Sequence, residues 1–71
     1  MSSSARERYE LRVARGSIEI VDRTTAEAVL FWDCTRPQLR RMREAIIADL
    51  DRLDAEAFLR EWAIVEPTDF A

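Results

Sequence analysis

A single cysteine, Cys34, and no histidine leave this 71-residue chain without the usual reinforcements of a small fold. One thiol cannot close an intramolecular disulfide, and one thiol among scattered carboxylates is not a zinc site. A second hydrophobic core would need far more apolar surface than a chain of this length carries, so one domain is the most it can hold. Hydrophobic residues make up 48% and charged residues 35%, a balance that folds rather than staying disordered. A core this small contributes no more than ~3–5 kcal/mol by itself. The expectation is a domain that gains stability from company, either its own copies or another protein.

The first half reads as strands. Tyr9, Leu11 and Val13 alternate with Arg8, Glu10 and Arg12, the period-two pattern of a half-buried strand. Gly16, the only glycine, suits a tight turn needing positive φ. Ser17 to Val21 resumes the alternation with Ile18 and Ile20 on one face. After a polar loop at residues 22–25, residues 28–34 read as a third strand. The connections are too short for crossovers, so the sheet is an antiparallel meander. The third strand departs from the pattern: Val29 and Phe31 point one way and Leu30 and Trp32 the other, so both faces are apolar. Either the C-terminal helix folds back over the second face, or another chain covers it.

The second half reads as helix. Thr35-Arg36-Pro37-Gln38 has the form of a capping box, with Cys34 and Leu39 placed to form a hydrophobic staple and Pro37 in the first turn. At 100° per residue, Leu39, Met42, Ile46, Leu50, Leu53 and Ala57 fall within an arc of about 80°, with Ile47 on its flank. Near Asp54 the register changes, and Ala55, Phe58, Leu59, Trp62 and Val65 form a second, rotated stripe. Asp54 is placed as an N-cap for a second helix, with Glu56 and Arg60 set for an i,i+4 pair; one bent helix is the competing reading. Pro67 ends the helical pattern. The predicted fold is α+β: a three-stranded antiparallel β-meander packed by one long amphipathic helix, plus a shorter C-terminal helix. Residues 1–7 and 67–71 are expected to be tails, the first disordered, around a single domain at residues 8–66.

Catalytic chemistry finds little to work with. Acid–base catalysis lacks histidine, and Asp49, Asp51, Asp54 and Glu56 fall on solvent-facing helix positions without an apolar pocket to tune them. Cys34 has no base to activate it, although a position before a helix favours thiolate. No glycine-rich loop cradles phosphate. No catalytic, cofactor or metal site is expected. The initial serines lead into no apolar run and nothing approaches ~20 apolar residues, so neither a secretion signal nor a membrane span is expected. An unpaired thiol suits a reducing compartment, and the expected location is the cytoplasm.

Charge is divided unevenly. Residues 1–43 hold nine arginines against six acids, net +3, whereas residues 44–71 hold two arginines against eight acids, net −6. In the first helix this order opposes the macrodipole, since Arg36, Arg40, Arg41 and Arg43 crowd its positive end and Asp49 and Asp51 its negative end. Three compensations are open: local acids such as Asp33 and Glu44, an antiparallel helix from a two-fold partner, or nucleic-acid phosphates. The expected function is a small non-enzymatic protein-interaction module (a regulator, adaptor or inhibitor subunit), forming a homodimer, with Leu30, Trp32, Phe58 and Trp62 as interface anchors. The alternatives are a nucleic-acid-binding regulator that uses Arg36, Arg40, Arg41 and Arg43 on the phosphate backbone, and an acidic inhibitor that occupies a basic groove of a nucleic-acid-handling protein.

Overall fold

A computed structural model describes residues 4–70. Three strands, β1 (Tyr9–Ala14), β2 (Ser17–Asp22) and β3 (Glu27–Asp33), form an antiparallel sheet in the order β1-β2-β3. Helix α1 (Arg36–Arg52) follows directly, then α2 (Ala55–Trp62). This is the α+β meander with a long and a short helix that the sequence predicts.

The turn residues explain the hairpins. Gly16, at φ +78°, closes β1 onto β2, and its carbonyl accepts the Cys34 N–H at 2.8 Å, tying the end of β3 to the same corner. The second turn has no glycine. Ala26 takes the left-handed conformation at φ +63°, and its N–H donates to the Asp22 carbonyl at 2.7 Å. Asp22 holds this turn from below: its carboxylate accepts the Thr24 N–H at 2.8 Å and the Arg8 guanidinium at 3.2 Å. The Thr24 backbone bond, helped by Arg8, holds the Asp22 carboxyl below the ordinary value of 3.8 against the opposing pull of burial.

A register shift falls between Ile20 and Val21. Asp22 and Val21 face Glu27 and Ala28, but Ile20 and Ile18 face Leu30 and Trp32, leaving Val29 as an extra residue on β3. This bulge turns Leu30 and Trp32 onto the same face as Ile18 and Ile20, both fully buried. Against that face packs the α1 stripe, with Met42 and Ile46 fully buried and Leu50 nearly so. The α1 start is the capping box: Thr35 Oγ1 accepts the Gln38 N–H at 3.4 Å, and Gln38 Oε1 accepts the Thr35 N–H at 2.9 Å.

Two helices, not one bent helix, make up the second half. Leu53 adopts extended φ/ψ of −102° and 155°, and Asp54 caps α2 by accepting the Ala57 N–H at 2.8 Å. The Leu53 carbonyl, freed by the break, accepts the Ala5 N–H at 2.7 Å. That bond corrects the expectation of a disordered residues 1–7. Ala5–Glu7 is a short 3-10 turn with Ala5 fully buried, while residues 1–3 lie outside the described residues. The C-terminal tail is likewise structured up to its last described residue. Pro67–Phe70 forms a 3-10 turn, and the Phe70 ring stacks on Trp62 at 5.9 Å and 8°.

An aromatic cluster joins the layers. Phe58 lies between Tyr9 at 5.8 Å and Trp62 at 6.2 Å, and Trp62 meets Trp32 edge-on at 5.9 Å. Both indole N–H groups are satisfied, Trp32 by the Val65 carbonyl and Trp62 by the Asp49 carboxylate, each at 3.0 Å.

Candidate interaction surface

The helices cover one face of the sheet and leave the other open. On the open face the register sets Arg12, Glu19 and Phe31 in one cross-strand row, with Ala14, Ser17 and Asp33 in the next. A shallow groove of about 280 Å³ runs between these rows, lined by Arg12, Val13, Ser17, Glu19 and Phe31 among others. Phe31 is 56% exposed and Val29 39%. An exposed aromatic beside a second apolar side chain, on a face no helix covers, is the kind of patch that binds another surface.

The expected interface anchors lie elsewhere. Phe58 is fully buried, Trp62 and Trp32 nearly so, and Leu30 is half-buried against the core. Trp62 meets three rings and donates to Asp49, so it serves the interior of this chain. The C-terminal segment does cover the Leu30 and Trp32 face, through the bond from the Trp32 indole to Val65. The face left bare is that of Val29 and Phe31.

The backbone of β3 is exposed as well. β1 and β3 are the two edges of the sheet. In an antiparallel ladder, residues alternately turn their polar groups toward and away from a given neighbour. Because Cys34 bonds Gly16 across to β2, the even residues Trp32 and Leu30 face β2, and the odd residues Phe31 and Asp33 turn outward. Among the described residues no backbone hydrogen bond is made on that outer side.

The arginines separate into two groups. Arg6, Arg8, Arg12, Arg23 and Arg52 are paired with Asp51, Asp22, Glu10, Glu10 and Asp49 respectively. Of the four clustered on α1, all exposed, Arg36, Arg40 and Arg43 make no ion pair among the described residues, so Asp33 and Glu44 do not neutralise them locally. Arg41 has a contact of its own. At 100° per residue, Arg36, Arg40 and Arg43 share one flank of α1, beside the buried stripe. The expected Glu56–Arg60 pair is absent among the described residues, with both side chains exposed.

The carboxylates are less free than the sequence implies. Asp49 is half-buried, pairs with Arg52 at 2.9 Å and accepts the Trp62 indole N–H. Asp51 pairs with Arg6 at 2.9 Å, and Asp54 caps α2. A larger groove, of about 480 Å³, lies over the N-terminus of α2 between Glu7, Arg8, Thr24, Asp54 and Glu56. Its arginine already serves Asp22, and its walls carry no nucleophile beyond hydroxyls.

Cys34 is held as a packing residue. Its thiol lies 3.7 Å from the Met42 sulfur and 3.8 Å from the Trp32 carbonyl. Burial, with Asp33 adjoining, pushes its pKa up from 9.0, away from the thiolate that its place before a helix suggests. Among the described residues no cluster of histidine, cysteine and carboxylates is arranged to hold a metal ion. No described helix is long and apolar enough to cross a membrane.

No protein-family model matches the chain, and neither a curated protein nor a solved structure matches it.

Proposed function

We propose that this chain is a small, non-enzymatic protein-interaction module, and that its contact surface is the open side of β3. The observation that carries the reading is Phe31, an aromatic 56% exposed at the middle of a strand whose outer backbone groups are unpaired. Such an edge offers main-chain hydrogen bonds for affinity and alternate side chains for selectivity, which is how extended segments add to a sheet. A short chain whose only thiol is unpaired and half-buried against Met42 suits a reducing compartment, and we place its work in the cytoplasm.

The test compares the wild-type chain with Phe31→Arg, each immobilised and exposed to extract of the source organism. A protein retained by the wild type and lost from the variant, including the chain's own soluble copy, supports the reading. Equal recovery on both, or on neither, rejects it.

A second reading rests on a separate observation. Three arginines on one flank of α1, exposed and without ion pairs, could contact phosphates spaced along a nucleic-acid backbone. Titration with random-sequence duplex at two salt concentrations tests it. Binding that weakens steeply with salt and is lost in the triple variant Arg36→Gln, Arg40→Gln, Arg43→Gln supports it; no binding at low salt ends it. The acidic-inhibitor reading loses ground, since Asp49, Asp51 and Asp54 already hold an indole, Arg6 and a helix end.

A further inference from the structure

We infer that the open face of β3 takes an arginine side chain from an extended segment of another protein, stacked on Phe31 beside the carboxylates of Glu19 and Asp33. The inference rests on the reading of β3 as the contact surface and adds the chemistry of its occupant.

The register fixes the three groups. Phe31 lies directly across from Glu19 and Asp33 directly across from Ser17, all beyond the bulge, where the pairing is regular. Their side chains stand on the open face, because Ile18, Ile20 and Trp32, which alternate with them, are buried on the other. Directly opposed residues have Cβ atoms about 4.5–5.5 Å apart, so Glu19 flanks the Phe31 ring. Asp33 follows two residues along the same strand. The groove of about 280 Å³ opens beside Phe31 and Glu19, with Ser17 in its wall.

Both carboxylates are spare. Arg12, opposite Glu19 on the far side, bonds Glu10 along its own strand at 2.7 Å instead of reaching across, and Arg23 joins the same Glu10 at 3.7 Å. Among the described residues neither Glu19 nor Asp33 makes an ion pair. Glu56 and Glu61, exposed on α2, also lack one, but the aromatic residues of that helix, Phe58 and Trp62, are buried. Among the described residues Phe31 is the one exposed ring.

Those two charges decide the occupant. An apolar strand laid over Phe31 would strip water from Glu19 and Asp33 and leave them unpaired, which is costly. A nucleic acid would set its phosphates against them. A cation satisfies all three groups, because the face of the ring and the two carboxylates attract it together. Arginine fits better than lysine: its planar guanidinium stacks on a ring while the N–H groups at its edge donate to carboxylates.

The experiment measures binding of short fluorescent peptides to the full chain by anisotropy, with amide NMR spectra to locate the contact. One peptide alternates arginine with threonine; the other carries citrulline, the neutral counterpart, in place of each arginine. The arginine peptide should bind, shift the amide signals of residues 17–19 and 31–33, and lose roughly tenfold in affinity on change to citrulline. Phe31→Leu should weaken it roughly two- to fivefold, and Glu19→Gln with Asp33→Asn roughly three- to twentyfold. Glu56→Gln with Glu61→Gln, which removes charge from α2, should leave it unaltered. Equal binding of both peptides overturns arginine as the occupant. So does an equal loss in the α2 variant, which marks general attraction to an acidic chain. No binding of either peptide overturns the inference too; capture of a protein that is lost with Phe31→Arg then decides separately whether β3 is the contact surface. Self-association abolished by Phe31→Arg, with neither peptide bound, assigns the face to a second copy instead.

Discussion

β1 and β3 occupy equivalent places, the two edges of one sheet, yet they are built oppositely. β1 alternates apolar residues with Arg8, Glu10 and Arg12, and Arg12 and Glu10 pair with each other at 2.7 Å. Its start is flanked by the 3-10 turn at Ala5–Glu7, and the Arg8 carbonyl accepts the Arg23 N–H at 2.8 Å. Charges on an edge discourage pairing by a foreign strand, and a flanking turn hinders it. β3 carries no charge along residues 28–32 and no flanking turn there; its one interruption is the bulge at Val29. The contrast shows that edge protection is a property of individual strands, and the less protected edge is the one proposed above as the contact surface.

Each edge also has its own anchor in the interior, and removing those anchors sharpens the comparison. The largest effect belongs to β1. Tyr9 reaches the core through the Phe58 ring, and Phe58→Ala should cost about 3–5 kcal/mol. A core this small contributes a similar amount in total, so the near-ultraviolet circular dichroism and the thermal transition should both disappear. β3 is anchored through the Trp32 indole and the Val65 carbonyl. Trp32→Phe keeps an aromatic ring but strands that carbonyl, for a loss of about 1–3 kcal/mol. Hydrogen exchange should speed up first in residues 63–70 and β3, leaving β1 protected. Uniform loss of protection would show that the two edges share one support.

The two hairpin turns extend the comparison with smaller effects of opposite sign. Gly16→Ala forces a side chain into φ +78°; the space is open, with the Cys34 carbonyl 3.9 Å away, so the cost is conformational, about 1 kcal/mol. Ala26→Gly relieves the same strain at φ +63° and should raise stability by about 0.5 kcal/mol. Opposite shifts in thermal midpoint check both. A pH titration gives the last difference. Asp22, held below its ordinary pKa by the Thr24 N–H and Arg8, stabilises the fold as a carboxylate. Its contribution is complete above the unfolded pKa of about 3.9 and is lost as pH falls through the lower folded value. Asp22→Asn should flatten the acid limb of stability against pH, and an unchanged limb would exclude Asp22 as its source.

Local signals carried most of the architecture. The Tyr9, Leu11 and Val13 alternation, the lone glycine, the Thr35–Gln38 capping box and the Asp54 cap each act within a few residues, so their geometry follows from spacing alone. The α1 stripe found by helical periodicity is the buried one, in Met42, Ile46 and Leu50. The candidate surface was only half legible. Two apolar faces on β3 can be read from the chain, but which of them faces inward cannot.

That choice is tertiary. Pairing that continued from the turn register of Asp22 with Glu27 would set Ile20 against Val29 and Ile18 against Phe31, burying that pair and exposing Leu30 and Trp32. The extra residue at the bulge reverses the parity. In a strand whose side chains alternate with period two, a shift of one residue exchanges the faces, and no local propensity records it. The interior settles it: Trp32 gains an edge-on contact with Trp62 and a carbonyl for its indole, and Phe31 has no N–H to make the second. The sequence determined that β3 would have an apolar side to spare; long-range packing against residues 62–65 decided that the spare side is the one carrying Phe31.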